Sequence, residues 1–283
     1  MKRLFLSTVG IILFLQVSAQ SFRESGAVNS KINPLLAGYH TLSIHVRDTL
    51  THDSVFHFLA EKLKLPVSYN PVTYGKRRYV GVFAGNMVLE PCGPYTNFKY
   101  ASDDFRAIFF GLNFESSVSL AGAESDFNNR GIQIRPAGKW LTVIDSMLCG
   151  ENIVISVAEK NKKDERTFDS LRAGLLNVEN GPGIEYVKTV LIGYKDNAGL
   201  QKWEEFVKPA EIDGNGIWKA YDQLEFLFVP GSIKEVRGIV FKVKSLKKAK
   251  RYLSKNDLMG SYAKHRLSLD KIKAFGLSIY FEE

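Results

Sequence analysis

Two short stretches carry side chains whose types could do chemistry. From Tyr39 to Arg47 polar and apolar residues alternate, which predicts a strand with Thr41, Ser43 and His45 on one face. Further along, Glu90 sits between Leu89 and Pro91 in a second strand-like run. A carboxylate on a half-buried strand must be paired, protonated or metal-bound. Glu225, between Leu224 and Phe226, repeats the situation in the second half of the chain. An imidazole beside a carboxylate can orient a substrate oxygen, accept a proton or ligate a divalent cation. His45 and Glu90 are therefore the candidate catalytic and metal-ligating residues. Were the two to meet, the carboxylate would raise the histidine's pKa, and the protonated ring would lower that of the carboxylate.

Other patterns point away from chemistry. His40, His45, His52 and His57 are close in sequence. His40 and His45 nevertheless have opposite strand parity, and His52 and His57 stand five apart on a helix, off a common face. A four-histidine zinc site is not expected. Gly181-Pro182-Gly183 is followed by no Lys-Ser/Thr pair, so it is not a phosphate loop, and there is no nucleophile elbow. Residues 234 to 273 are strongly basic, but Leu246, Ala249, Tyr252 and Leu253 recur at helical spacing with lysines between them. That is a solvated helix face, and no nucleic-acid partner is expected.

The elements that must position these residues repeat one plan, a strand, a helix and further strands. In the first segment the strand from Tyr39 to Arg47 leads to a helix capped by Thr51 or Asp53 and closed by Pro66. Extended runs follow at Val67–Tyr74, Arg78–Ala84 and Met87–Pro91, with a turn at Gly85-Asn86. The second segment offers Phe105–Phe110, a helix from Ser119 to Phe127, Trp140–Ile144 and Ile153–Val157. The charged stretch Lys160–Arg166 and Gly181-Pro182-Gly183 mark a boundary. The third runs from the strand Glu185–Tyr194 through a helix ended by Pro209 to Trp218–Val229. The fourth runs from Val236–Val243 through a helix beginning at Ser245 to Ile272–Phe281. Leu89-Glu90 and Leu224-Glu225 would occupy equivalent places in the two halves.

This order resembles that of vicinal oxygen chelate proteins, the superfamily of glyoxalase I, bleomycin-resistance proteins and extradiol dioxygenases. The resemblance rests on Val46-Arg47-Asp48, Leu63-Lys64-Leu65-Pro66, Gly85 to Glu90, Gly238 to Val243, Leu246 to Ala249 and Gly276 to Phe281. It implies an α+β fold of two tandem glyoxalase-like domains, each of two paired βαβββ modules around a curved mixed sheet. Their spans are residues 39–160 and 184–283, joined by a linker over 161–183. It also implies a divalent metal (Zn, Fe, Mn or Ni) and lyase- or dioxygenase-like activity on a small molecule, with ligands from the first and last strands of each module. Glu90 stands at such a position, Thr41 lies near the usual histidine position, Asp48 occupies a structural acidic one, and the implied fold would turn His45 and Glu90 into one cavity. Elsewhere the positions hold Ile108 or Phe109 and Ile155, then Thr189 with Glu225, then Gly238 with Tyr280. Glu225 and Tyr280 join Thr41 and Ser43 as further cavity candidates. The alternative is a non-catalytic periplasmic or surface protein, binding or structural, that keeps the fold and has lost the metal site.

Composition fits a folded domain protein: of 283 residues 45% are hydrophobic and 24% charged, with a net charge of +8. It excludes disordered, collagen-like and disulfide-scaffold classes. Lys2 and Arg3, an apolar run from Leu4 to Val17 and small residues to Ala19 form a signal peptide over 1–19, ahead of an N-terminal extension over 20–38. The run is too short to span a bilayer. The protein is expected to be exported, periplasmic or secreted, without a transmembrane helix after cleavage. Export would permit a Cys92–Cys149 disulfide, and two free thiols is the reading favoured. N-terminal sequencing of the exported protein is expected to begin at Gln20; an intact Met1 on soluble protein would overturn the cleavage.

Overall fold

The computed structural model describes residues 34–36, 38–95, 105–150, 152–160, 162–221, 223–263 and 265–283. The expected signal peptide and most of the extension lie outside the described residues. The chain enters at β1 (Gly38–Val46), then α1 (Thr49–His57), which continues as π-helical turns over Phe58–Lys62. β2 (Val67–Tyr74), β3 (Arg77–Phe83) and β4 (Val88–Gly93) complete the first module. The second holds β5 (Ala107–Ser116), α2 (Leu120–Asn129), β6 (Ile134–Ala137), β7 (Trp140–Val143) and β8 (Val154–Glu159). After α3 (Lys162–Leu176) the third holds β9 (Ile184–Tyr194), α4 (Asn197–Val207), β10 (Ile217–Lys219) and β11 (Glu225–Pro230). The fourth holds β12 (Glu235–Val243), α5 (Leu246–Lys255), β13 (Met259–Ala263), β14 (Arg266–Leu269) and β15 (Ile279–Glu282).

A short polar residue between the first strand and the helix starts each module's helix. Asp48 accepts from the Thr51 amide at 2.7 Å, Ser119 from Gly122 at 3.2 Å, Asp196 from Gly199 at 2.9 Å and Ser245 from Lys248 at 3.4 Å. Each supplies an acceptor to an amide with no partner in the first turn. The first cap is thus Asp48, not Thr51 or Asp53. The structural role expected for Asp48 is this cap.

The strands form two mixed sheets, ordered β2-β3-β4-β1-β5-β8-β7-β6 and β10-β11-β9-β12-β15-β14-β13. In each module the last strand runs parallel to the first, and the first strands of paired modules meet antiparallel at the sheet centre. This is the α+β arrangement of paired modules that the sequence implied, with one strand fewer in the third. Two segments differ from expectation. The charged stretch after Lys160 opens the helix α3, and the closing strand is only Ile279–Glu282. Asp270 accepts from the amides of Ile272 and Lys273 and holds the preceding residues in turns.

The two halves share one core. Phe114 of β5 lies 5.7 Å from Phe206 of α4, 6.0 Å from Trp218 and 5.7 Å from Phe226, and Phe127 of α2 stacks on Phe206 at 5.4 Å. The turn before β4 docks on the opposite half. Asn86, buried, donates to the Val187 carbonyl at 2.9 Å and accepts from the Val187 amide at 3.1 Å. Gly85, at φ +94°, approaches so closely that a Cβ would stand 2.1 Å from the Glu185 carbonyl oxygen. The turn before β15 makes the reciprocal contact: the Phe275 carbonyl accepts from the amides of Arg106 and Ala107 at 2.9 and 3.0 Å.

Leu89-Glu90 and Leu224-Glu225 lie on corresponding strands but not at equivalent positions. Glu90 is registered with Ser43, five residues before the cap Asp48, and Glu225 with Thr189, seven before Asp196. Among the described residues no helix is long and apolar enough to cross a membrane. Asn86→Ala would leave two buried backbone groups without partners. It is expected to cost about 2–4 kcal/mol in urea unfolding, without changing the secondary structure.

Candidate functional site

Leu42, Ile44, Leu89, Leu112, Phe114 and Ile155 bury one face of the first sheet against the helices. Alternation therefore sends Thr41, Ser43, His45 and Glu90 to the opposite face. On that face a row of polar side chains crosses the sheet. Tyr69 on β2 donates its hydroxyl to one oxygen of Glu90 on β4, and Ser43 on β1 donates to the other at 3.2 Å. Asn113 on β5 donates to Ser43 Oγ at 3.3 Å, and Ser156 on β8 donates to Asn113 Oδ1.

Two glycines make room for the row. A Cβ on Gly81 of β3, the strand between β2 and β4, would lie 2.3 Å from the Tyr69 ring. Without it the tyrosine lies across β3 and reaches Glu90. A Cβ on Gly111 would stand 2.9 Å from Ser43 Oγ. Burial raises the Glu90 carboxyl above its ordinary value, and the hydrogen bonds from Tyr69 and Ser43 only partly oppose this. Burial, then the Glu90 charge, pushes the Tyr69 phenol far up, so Tyr69 acts as a donor at any physiological pH.

His45 lies on the same face but is registered with Cys92, two positions beyond Glu90. Its ring is sandwiched between Tyr95, at 3.7 Å and nearly parallel, and Phe110 at 3.8 Å. The Arg77 guanidinium covers the outer face of Tyr95 at 4.2 Å. Burial, then Arg77, lowers the His45 pKa to about 3, so the ring is neutral. The expected mutual shift of His45 and Glu90 is reversed in both groups, because desolvation dominates each. Thr41 is buried with its hydroxyl 2.6 Å from His40 Nδ1.

In the second sheet Glu225 is raised by burial, with Lys188 and Lys219 opposing. Tyr280 lies under the Arg266 guanidinium at 5.6 Å. Glu282 accepts from Lys188 Nζ and Arg266 Nε, each at 2.7 Å. These two cations outweigh the effect of burial and hold its carboxyl below the ordinary value. The remaining helical histidines are dispersed: His52 Nδ1 lies 3.0 Å from Asp53 and His57 Nδ1 2.8 Å from Glu61. Cys92 and Cys149 are free thiols.

Tyr69, Asn113 and Ser156 were not among the sequence candidates. The second module turns Asn113 and Ser156 onto this face, not Ile155. β5 extends beyond Phe110 to Ser116, and its alternation past Gly111 was the available signal. The side chains on the ligand-bearing strands are thus a hydroxyl, a carboxylate, an amide and a hydroxyl. Both carboxylate oxygens already accept protein hydrogens. Among the described residues no group of three or more His, Cys, Asp or Glu is placed to hold a metal ion. This donor set does not fit a divalent metal.

Three solved structures share the architecture. The 2,3-dioxygenase LapB from Pseudomonas sp. KL28 superposes with a TM-score of 0.55 at 12% identity, over 87% of this chain and 92% of its own. A variant of 4-hydroxymandelate synthase from Streptomyces coelicolor gives 0.55 at 12% identity, over 86% and 91%. Homoprotocatechuate 2,3-dioxygenase from Brevibacterium fuscum gives 0.53 at 13% identity, over 89% and 84%. No protein-family model and no curated protein sequence matches the chain. The chain has the fold of these proteins, the fold expected from the resemblance to vicinal oxygen chelate proteins.

The titrations give opposite pH slopes. His45 has a folded pKa near 3 against 6.5 when free, so its contribution to stability is lost as pH falls below 6.5. The loss should reach about 3 kcal/mol at pH 4. Glu90, raised above 4.5, costs stability as pH rises from there through its folded pKa. In urea melts across pH, His45→Phe should flatten the acid limb and Glu90→Gln the limb above pH 4.5.

Proposed function

We propose that the protein binds a small organic molecule on the polar face of the first sheet, through hydrogen bonds and without a metal. The observation that supports this is the engagement of both Glu90 oxygens by Tyr69 and Ser43. A metal would have to displace two hydroxyls from a carboxyl whose burial already disfavours charge, while the His45 imidazole on the same face is stacked between Tyr95 and Phe110. A ligand hydroxyl or carbonyl needs no such rearrangement, since it can join the row as one more donor or acceptor. The stacked rings of Tyr95, His45 and Phe110 supply an apolar flank on the same face. A raised carboxyl between two hydroxyls is also suited to passing a proton to or from a bound molecule.

The named neighbours support the class of ligand. One is a complex of homoprotocatechuate 2,3-dioxygenase with 3,4-dihydroxyphenylacetate, a small hydroxylated aromatic. The signal-peptide features at the N-terminus support an exported location. Protein purified without chelator is expected to carry well below one equivalent of Zn, Fe, Mn or Ni. Calorimetric titration with 3,4-dihydroxyphenylacetate should give the same affinity with and without EDTA. Glu90→Gln should weaken it about tenfold, ~1.4 kcal/mol. Stoichiometric metal, with binding abolished by EDTA, would overturn the proposal in favour of a metal-dependent enzyme.

A further inference from the structure

A cleft of about 350 Å³ opens where the first helix and the last helix end side by side. Lys62 and Lys64 line it from the first half, Lys255 and Asn256 from the second, and Asn180 from the connection between them. Glu61 is the single acidic side chain in the lining, and it is engaged by His57 at 2.8 Å.

Lysines at helix C-termini commonly answer the last carbonyls. Here those carbonyls have other donors. The Phe58 and Leu59 carbonyls accept from the amides of Leu63 and Leu65, and the Lys62 carbonyl from the Tyr252 hydroxyl at 2.7 Å. In the last helix the Tyr252 carbonyl accepts from both the amide and side chain of Asn256, and the Leu253 carbonyl from Leu258. Among the described residues no carboxylate pairs with Lys62, Lys64 or Lys255.

Lys64 is also held where a glycine would be easier. Its backbone is left-handed, at φ +62°. That conformation is unfavourable for any residue that bears a Cβ. Its Cβ and Cγ press on Gly181, where a Cβ would stand 3.3 Å from both. The chain keeps a strained lysine, seats its stem against a glycine and leaves its ammonium at the cleft.

From the three ammonium groups, the side-chain amides and the capped carbonyls, we infer that this cleft binds a phosphate-bearing small molecule. Lysines act as point charges on phosphate oxygens, and asparagine side chains donate beside them.

The test is titration of the full chain with inorganic phosphate, followed by melting temperature and calorimetry against sodium chloride at matched ionic strength. Phosphate should raise the melting temperature saturably, and chloride should not. Lys64→Gly relieves the left-handed strain. It should melt at the same temperature or higher without phosphate, yet bind phosphate at least tenfold more weakly; Lys255→Gln should weaken binding similarly. The inference is overturned if phosphate acts no differently from chloride, or if both variants bind it as the parent chain does.

Discussion

The two sheets have no separate interiors, and the placement of every polar group follows from that. Phe114, Phe127, Phe206, Trp218 and Phe226 form one aromatic mass that joins β5, α2, α4, β10 and β11. An apolar face of this size must be covered, and each half covers the other's. Helices occupy the shared side, so the remaining face of each sheet is where polar residues can stand in rows. The buried Asn86–Val187 pair and the reciprocal Phe275 contact then fix the halves in one register.

A polar row on a sheet is tolerable only when its members answer one another. Glu90 sets the terms in the first sheet, because its carboxyl is largely withdrawn from water. Tyr69 answers one oxygen from two strands away, which requires Gly81 between them. Ser43 answers the other from the adjacent strand, which Gly111 permits. Asn113 and Ser156 extend the chain to β8, so no hydroxyl in the row faces an apolar neighbour alone. The same requirement separates His45 from the row. Stacked between two rings and near a guanidinium, it loses its proton and serves as an aromatic surface.

Much of the architecture was legible because it rests on local signals. Ser119 and Ser245 each follow a strand and open a helix, alternation placed Ser43 and His45 on one face, and the family resemblance added Glu90; the first cap was misplaced because Thr51 and Asp53 are as short and polar as Asp48. β6 and β13 escaped notice because they are short and mostly exposed, and β14 because it is only four residues long, although Leu267 and Leu269 alternate into the core. α3 escaped because its charged start reads as a linker. Tyr69 was illegible for a different reason: its role depends on a missing Cβ on a neighbouring strand, which no periodicity in its own segment reports. Asn113 was hidden by Gly111, which reads as the end of a strand that in fact continues.

The second sheet carries a cluster of charges in place of a row of hydroxyls. Glu225 and Thr189 stand side by side as Glu90 and Ser43 do, displaced by two residues along the strand. Nearby, Lys188 and Arg266 close on Glu282, whose carboxyl is held ionised by them. An ion-paired cluster of this kind resists rearrangement, since a ligand entering it must first break charge-assisted bonds. The row on the first sheet is uncharged at Tyr69, Ser43, Asn113 and Ser156, and its one carboxyl is biased toward the neutral form. A ligand that offers one donor and one acceptor can enter it by exchange of neutral hydrogen bonds, at far lower cost. The proposed binding to the first half rests on this difference in charge more than on any difference in fold.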